Sequence, residues 1–305
     1  MDERYISIVS LLLDTLPHVF DQGGFALKGG TAINFFLQDM PRMSVDIDLV
    51  YTDHEERDSA LKSIESKLNA IADKLRDKLS LDVKSSSSGS DHESKLFITR
   101  DKATVKVEVN HVFRGSVYPI VKGVLSKHTE DHFSRSLTVP MLDPDELYAS
   151  KIVAALDRQH PRDLFDVMLL LDKGGINQRL RRAFTVYLAG HYRPIHELLP
   201  PNPQNIKRAF QSEFSGMTTD PDITIEQLEN ARTQLFSEFP SSLDDRERSF
   251  LLSIKRLKPE WDILGIPGIE KLPAIKWKLI NIENLSKNNP TKYKKMVKAL
   301  EERLG

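Results

Sequence analysis

Apolar residues recur three or four positions apart from Tyr5 to Phe20, which predicts a helix with one buried face. Phe25-Ala26-Leu27 then reads as a short strand that turns, through a glycine pair and Thr31, into a helix over 32–37. Val45, Ile47 and Leu49 alternate with Ser44, Asp46 and Asp48, the period of a half-buried strand whose polar side chains share one face. A long amphipathic helix follows, striped by Leu61, Ile64, Leu68, Ile71 and Leu75 and ending near Leu79. Leu79, Leu81 and Val83 alternate with polar residues ahead of a serine-rich run at Ser85 to Ser90, and β-like sequence resumes at Leu96 to Thr99, so a hairpin with a solvated tip is expected. Thr104 to Val112 alternates most regularly, with Val105, Val107 and Val109 on one face and Lys106, Glu108 and Asn110 on the other.

The pattern changes between Pro140 and Pro144. Asp143-Pro144-Asp145-Glu146 offers an N-cap, a proline at the first helical position and a capping-box glutamate. Beyond it only helical periods are found, at 146–157, 162–173, 177–191, 225–238 and 244–257, punctuated by Pro200-Pro201-Asn202-Pro203 and by Gly265 to Gly268. A division into residues 1–142, with strands and helices, and 143–305, with helices alone, follows. A length of 305 residues also favours two domains over one.

The composition, 40% hydrophobic and 29% charged, is that of a globular chain, and there is neither a long apolar span nor a cationic, apolar leader. A cytoplasmic protein without a membrane partner is expected. The absence of cysteine excludes disulfides, thiolate zinc sites and a cysteine nucleophile. A net charge of −1 argues against a uniformly cationic polyanion binder, but it hides segregation, because Phe250 to Gly305 holds 12 Lys and Arg against 6 Asp and Glu.

Four features could carry chemistry. Asp46 and Asp48, two apart on one strand, can converge on a hard cation, although such pairs also occur on solvated strands. Lys28-Gly29-Gly30-Thr31 could bring backbone N–H groups to a triphosphate at a helix N-terminus; it lacks the P-loop spacing, and an ordinary strand-to-helix turn capped by Thr31 would look the same. Glu108 would join the carboxylates if its strand lay antiparallel beside that of Asp46, and would be a surface glutamate otherwise. Lys151, on an apolar helix, is either snorkelling or paired with Asp163 or Asp166, while Arg162 and Asp166 have the spacing of an intrahelical ion pair. Two weaker signals complete the set. His128 and His132 have the i to i+4 spacing of a helical zinc pair without a third ligand, and the lysines from Lys287 to Lys298 around Tyr293 could meet RNA or be a solvated helix face.

Taken in order, Lys28-Gly-Gly-Thr-Ala32, Arg42-x-Ser44-x-Asp46-Ile-Asp48-Leu49, Lys106-Val-Glu108-Val-Asn110, and Lys151 followed by Arg162-Asp163-Leu-Phe-Asp166 resemble the successive motifs of the AbiEii/AbiGii toxins, members of the DNA polymerase β-like nucleotidyltransferases. The resemblance spans 24–171. It implies an α+β chain: a minimal nucleotidyltransferase fold, a mixed sheet with helices, followed by an all-helical domain that contributes Lys151 and Asp166 to the site. It further implies Mg²⁺ on Asp46 and Asp48, with Glu108 as a third carboxylate, and nucleotide phosphates over Gly29, Gly30 and Thr31. Lys28, Ser44, Arg162 and Asp163 would line the substrate site, Lys151 would offset nucleotide charge, and Asp166 would orient Lys151 or act as a base. The expected activity is transfer of a nucleoside monophosphate from an NTP to RNA, at the 3′ end of tRNA, by a toxin of a toxin–antitoxin or phage-defence system. Its antitoxin partner would block the site or modify it, with Thr31 and Ser44 as the hydroxyls closest to the metal. The rival expectations are the same transfer to a protein hydroxyl or a small molecule, and a non-catalytic binding module.

Overall fold

The computed structural model describes residues 3–86 and 93–305; the serine-rich tip expected at 85–90 falls, from Ser87 on, outside the described residues. The chain divides into two compact units, residues 1–147 with 215–223, and residues 148–214 with 224–305. Among the described residues no helix is long and apolar enough to cross a membrane.

In the first unit, helix α1 (Glu3–Phe20) buries Val9, Leu12, Leu13 and Leu16, as its period requires. Strand β1 (Phe25–Lys28) leads into a single α-helical turn, α2 (Gly29–Ala32), which continues as a π-helical segment over Ile33–Leu37. Strand β2 (Asp46–Tyr51) precedes α3 (Arg57–Leu79), whose buried face is Ile64, Leu68, Ile71 and Leu75. The hairpin of β3 (Asp82–Ser86) and β4 (Glu93–Arg100) follows, then β5 (Ala103–Asn110), β6 (Val121–Val124), helix α4 (Lys127–Phe133) and β7 (Thr138–Met141). The seven strands form one mixed sheet in the order β3-β4-β5-β2-β1-β7-β6.

One expectation is corrected. Strand β5 lies beside β2, but parallel to it, with Asp46 opposite Lys106 and Asp48 opposite Glu108. Helix α3 returns the chain across the sheet, so β3 starts in the direction of β2. Two antiparallel pairings, β3 with β4 and β4 with β5, then leave β5 pointing the same way. Strands β6 and β7 were not foreseen. Each has only four residues, and Gly123 and Pro140 interrupt their alternation.

A returning segment completes the first unit. Met43 N–H donates to Met217 O at 2.7 Å, and Thr219 donates from both its N–H and its hydroxyl to Pro41 O at 3.0 Å. Residues 215–223 thereby hold the loop that leads into β2.

The second unit is helical. Its elements are α5 (Pro144–Asp157), which starts before the division, α6 (Pro161–Asp172), α7 (Gln178–Gly190), α8 (Lys207–Glu213), α9 (Ile225–Ser242), α10 (Asp245–Lys255), α11 (Pro273–Asn288) and α12 (Pro290–Leu304). Caps set several starts. Asn177 Oδ1 accepts from Leu180 N–H, Thr224 and Gln227 form a capping box, and so do Asp244 and Glu247. At α5, Asp143 Oδ1 accepts from Asp145 N–H, whereas the carboxylate of Glu146 accepts from the N–H groups of Val117 and Tyr118, both at 2.9 Å. The core includes an edge-on pair of Phe184 and Phe239, 4.2 Å between centroids.

Candidate active site

Strand register builds the candidate site. Lys28 on β1 is opposite Asp48 on β2, Asp48 is opposite Glu108 on β5, and Glu108 is opposite Lys95 on β4. Residues directly opposite share a face of the sheet, so one row reads cation, anion, anion, cation. Asp46 and Lys106 form the neighbouring row. The apolar partners Ile47, Leu49, Val105, Val107 and Val109 are buried on the other face, which fixes the polar set where it is.

The glycine turn abuts this row. Gly29 has φ +74°, and a Cβ on it would collide with the Asp48 carboxylate, so glycine is needed both for its backbone angle and for the approach. A Cβ on Gly30 would come within 2.8 Å of Arg42 Nη2 and 3.1 Å of Ser44 Oγ. Thr31 is fully buried: its hydroxyl is 2.9 Å from Ser44 Oγ and donates to the main-chain oxygen of Asp46 at 2.5 Å. It therefore ties the turn to the first residue of β2. Ser44 is buried as well, so neither hydroxyl is presented at the surface.

Glu108 is claimed by lysines. Lys106 Nζ lies 2.9 Å and Lys95 Nζ 3.5 Å from its carboxylate, and Lys106 is also 3.9 Å from Asp46. Burial raises the Glu108 carboxyl, but the hydrogen bond and charge of Lys106, with the charge of Lys95, outweigh it and hold it below the ordinary value. Burial lowers Lys106 less than Glu108 and Asp46 raise it. Among the described residues no three acidic or histidine side chains converge as a ready metal site. Two carboxylates on one strand do fit Mg²⁺, which is held by one or two protein carboxylates together with substrate phosphates and water.

The remaining candidates belong to the second unit. Lys151 Nζ lies 2.9 Å from Asp163 Oδ1 and 3.1 Å from Asp166 Oδ2, with all three side chains nearly or fully buried. Of the two readings the sequence left open, the lysine is paired. Arg158 also binds Asp163, at 2.5 Å from Nε, so this carboxylate meets two cations. Burial would raise Asp163, but Lys151 and then Arg158 hold it far below the usual range. Arg162 is half-buried at the start of α6, where its N–H donates to His160 Nδ1.

Of the weaker signals, His128 and His132 stack with centroids 6.1 Å apart, without a third ligand among the described residues. Tyr293 turns inward, its hydroxyl donating to Lys255 O at 3.2 Å. Sequence reasoning gave no role to Arg42, which is 2% exposed, donates from Nη1 to Met43 O and backs Gly30. It also missed the segment 215–223, for which periodicity carries no signal, while the alternation around Glu108 already held Lys106.

Residues 10–280 match the model of a family described as nucleotidyl transferase AbiEii toxin, type IV toxin–antitoxin system. Among solved structures, the chain is similar to MenT4, a nucleotidyltransferase toxin from Mycobacterium tuberculosis, with a TM-score of 0.61 and 16% identity, over 92% of this chain and 93% of that one. That likeness is one of fold. A search of the curated proteins gave no significant match.

Proposed function

This chain belongs to the AbiEii nucleotidyl transferase toxins of type IV toxin–antitoxin systems, and on that premise we propose that it transfers a nucleoside monophosphate from an NTP to an RNA 3′ hydroxyl, with tRNA as the acceptor. The observation that carries the site is the contact of Gly29 with Asp48, which puts a glycine turn and a metal-binding type of carboxylate side by side.

In this reading Asp46 and Asp48 hold Mg²⁺, and the backbone N–H groups of Gly29, Gly30 and Thr31 receive phosphate oxygens, with Lys28 beside them. The ion would supply charge neutralisation on the triphosphate and on the leaving pyrophosphate. The Thr31 hydroxyl and Arg42 keep the turn and β2 in register. Glu108 anchors Lys106 and Lys95 at the rim of the carboxylates, where their charge favours an incoming polyphosphate. With Thr31 and Ser44 buried, an antitoxin that occludes the cradle agrees better with the geometry than one that modifies these hydroxyls.

Incubating the protein with labelled NTPs, Mg²⁺ and total RNA tests the proposal. Label is expected at RNA 3′ ends, lost on chelation and on Asp48→Ala. Label passing into protein or a small molecule instead would replace the acceptor, and label that survives Asp48→Ala would remove the site.

A further inference from the structure

Two lysines of the second unit are buried and form no ion pair with a carboxylate among the described residues. Lys255, the last residue of α10, is 3% exposed, and Lys278, within α11, is 7% exposed. Lys278 Nζ donates to the main-chain oxygens of His191 at 2.6 Å and Arg193 at 2.7 Å, beyond the end of α7. The Lys255 ammonium makes no hydrogen bond or ion pair to any described residue, yet it is not among the sealed polar atoms, so its charge ends at a narrow opening. Close by is His196, in the 3₁₀ turn Ile195–Glu197, whose buried Nδ1 has no hydrogen-bond partner.

Packing brings the elements that carry these groups together. Helices α10, α11 and α12 pack on one another, and the turn 195–197 packs on α12. Burial, then the charge of Lys255, pushes Lys278 down to about 8. Burial also lowers His196, and Lys255, Arg303 and Lys278 oppose its protonation. The carboxylate that favours the charged forms, Glu197, is itself exposed and paired with Arg193 at 3.5 Å.

Helix C-termini offset part of this charge, since Lys255 closes α10 and Lys278 lies beyond α7. They leave one ammonium and one ring nitrogen without acceptors. Buried polar groups of this kind call for a bound group, and two ammoniums with an imidazole in the tautomer that carries its proton on Nδ1 are suited to a compact oxyanion. We propose that Lys255, Lys278 and His196 form a binding site for a phosphate-class oxyanion, sharing no residue with the Asp46–Asp48 strand.

The test is calorimetric titration and thermal unfolding of the full chain in phosphate-free buffer, adding inorganic phosphate against chloride at equal ionic strength. Phosphate is expected to bind saturably and to raise the unfolding temperature beyond the effect of chloride. Lys255→Met should raise that temperature without phosphate, by removing an unpaired buried charge, and weaken phosphate about tenfold or more. Lys62→Ala, at an exposed lysine of α3, should leave phosphate binding unchanged. AMP with adenosine as control distinguishes the sources: a shift by AMP, not by adenosine, that Lys255→Met removes means a phosphate monoester enters, whereas a Lys255-dependent response to phosphate but not AMP means a free anion. Absence of a saturable shift, or an undiminished one in Lys255→Met, overturns the site. Should that variant not fold, His196→Ala decides: weaker phosphate binding supports the site and unchanged binding overturns it.

Discussion

The α-carbon of Gly29 faces the Asp48 carboxylate so closely that a methyl group has no room between them. Gly29→Ala must therefore both hold φ +74°, at about 1 kcal/mol, and push Asp48 off its position. Because a displacement of about 1 Å can cost on the order of a hundredfold in rate, we expect nucleotidyl transfer to fall about that far. The unfolding midpoint should move only a few degrees. Transfer and thermal unfolding of the same preparation check this; full activity would mean that the turn is not part of the site.

The fully buried Thr31 hydroxyl gives a second prediction. Thr31→Val keeps the shape and removes the donor to Asp46 O, at a cost of about 1–3 kcal/mol, whereas Thr31→Ser keeps it. Loss of stability in the first variant and rescue in the second, by denaturant titration, would identify the hydroxyl as a tie. A fall in NTP affinity without loss of stability would instead make it a phosphate ligand.

A third concerns the segment 215–223. Replacing 216–221 by a Gly-Ser linker of equal length removes the buried Met217 side chain and the Thr219 hydroxyl, which hold in place the main-chain partners of Met43 N–H and Pro41 O just ahead of Asp46. Amide exchange at Met43 should become fast, and transfer should drop roughly ten- to a hundredfold. Slow exchange retained at Met43 would show that the segment does not support the loop.

Lys151 separates structure from catalysis. Lys151→Met leaves Asp163 with Arg158 alone and removes the Lys151 charge beside Asp166, a break that costs about 3–5 kcal/mol in buried ion pairs. Denaturant unfolding should show a loss of that order. A variant folded at low temperature that transfers at the unaltered rate would confine Lys151 to holding the second unit together; a rate reduced per folded molecule would support the role the family resemblance gives it.

Strand and helix periods made the local elements around the site legible, because the polar face of β2 and β5 shows in every second residue. Their mutual direction was not. Whether Glu108 meets Asp48 from a parallel or an antiparallel strand depends on the number of reversals between them, and the four-residue strands β6 and β7 are too short to show a period. The carboxylates could be read from residue type, but their partners could not: nothing in Lys106-Val-Glu108 says that the lysine turns to Glu108, or in Arg42 that its guanidinium backs Gly30. Segment 215–223 was invisible because its role consists of main-chain hydrogen bonds to residues far away in sequence.

Asp157 gives a prediction in pH. Its carboxylate faces His191 Nε2 at 3.5 Å, Arg193 Nη1 at 3.0 Å and the Tyr192 hydroxyl at 3.2 Å. Burial raises this carboxyl, but hydrogen bonds from His191, Arg193 and Tyr192 and the charge of His191 bring it down to about 2 from 3.8. A folded value below the unfolded one means that the unfolded chain binds the proton more readily. The stabilisation is thus complete above about 4 and disappears as pH falls through about 2, and the shift corresponds to about 2 kcal/mol. Asp157→Asn should lower stability by about that amount at pH 6 and differ little from the parent near pH 2. Denaturant unfolding of both proteins across this range measures it; a difference that does not shrink with acid would show that packing, and not the ionised carboxylate, supplies the stability.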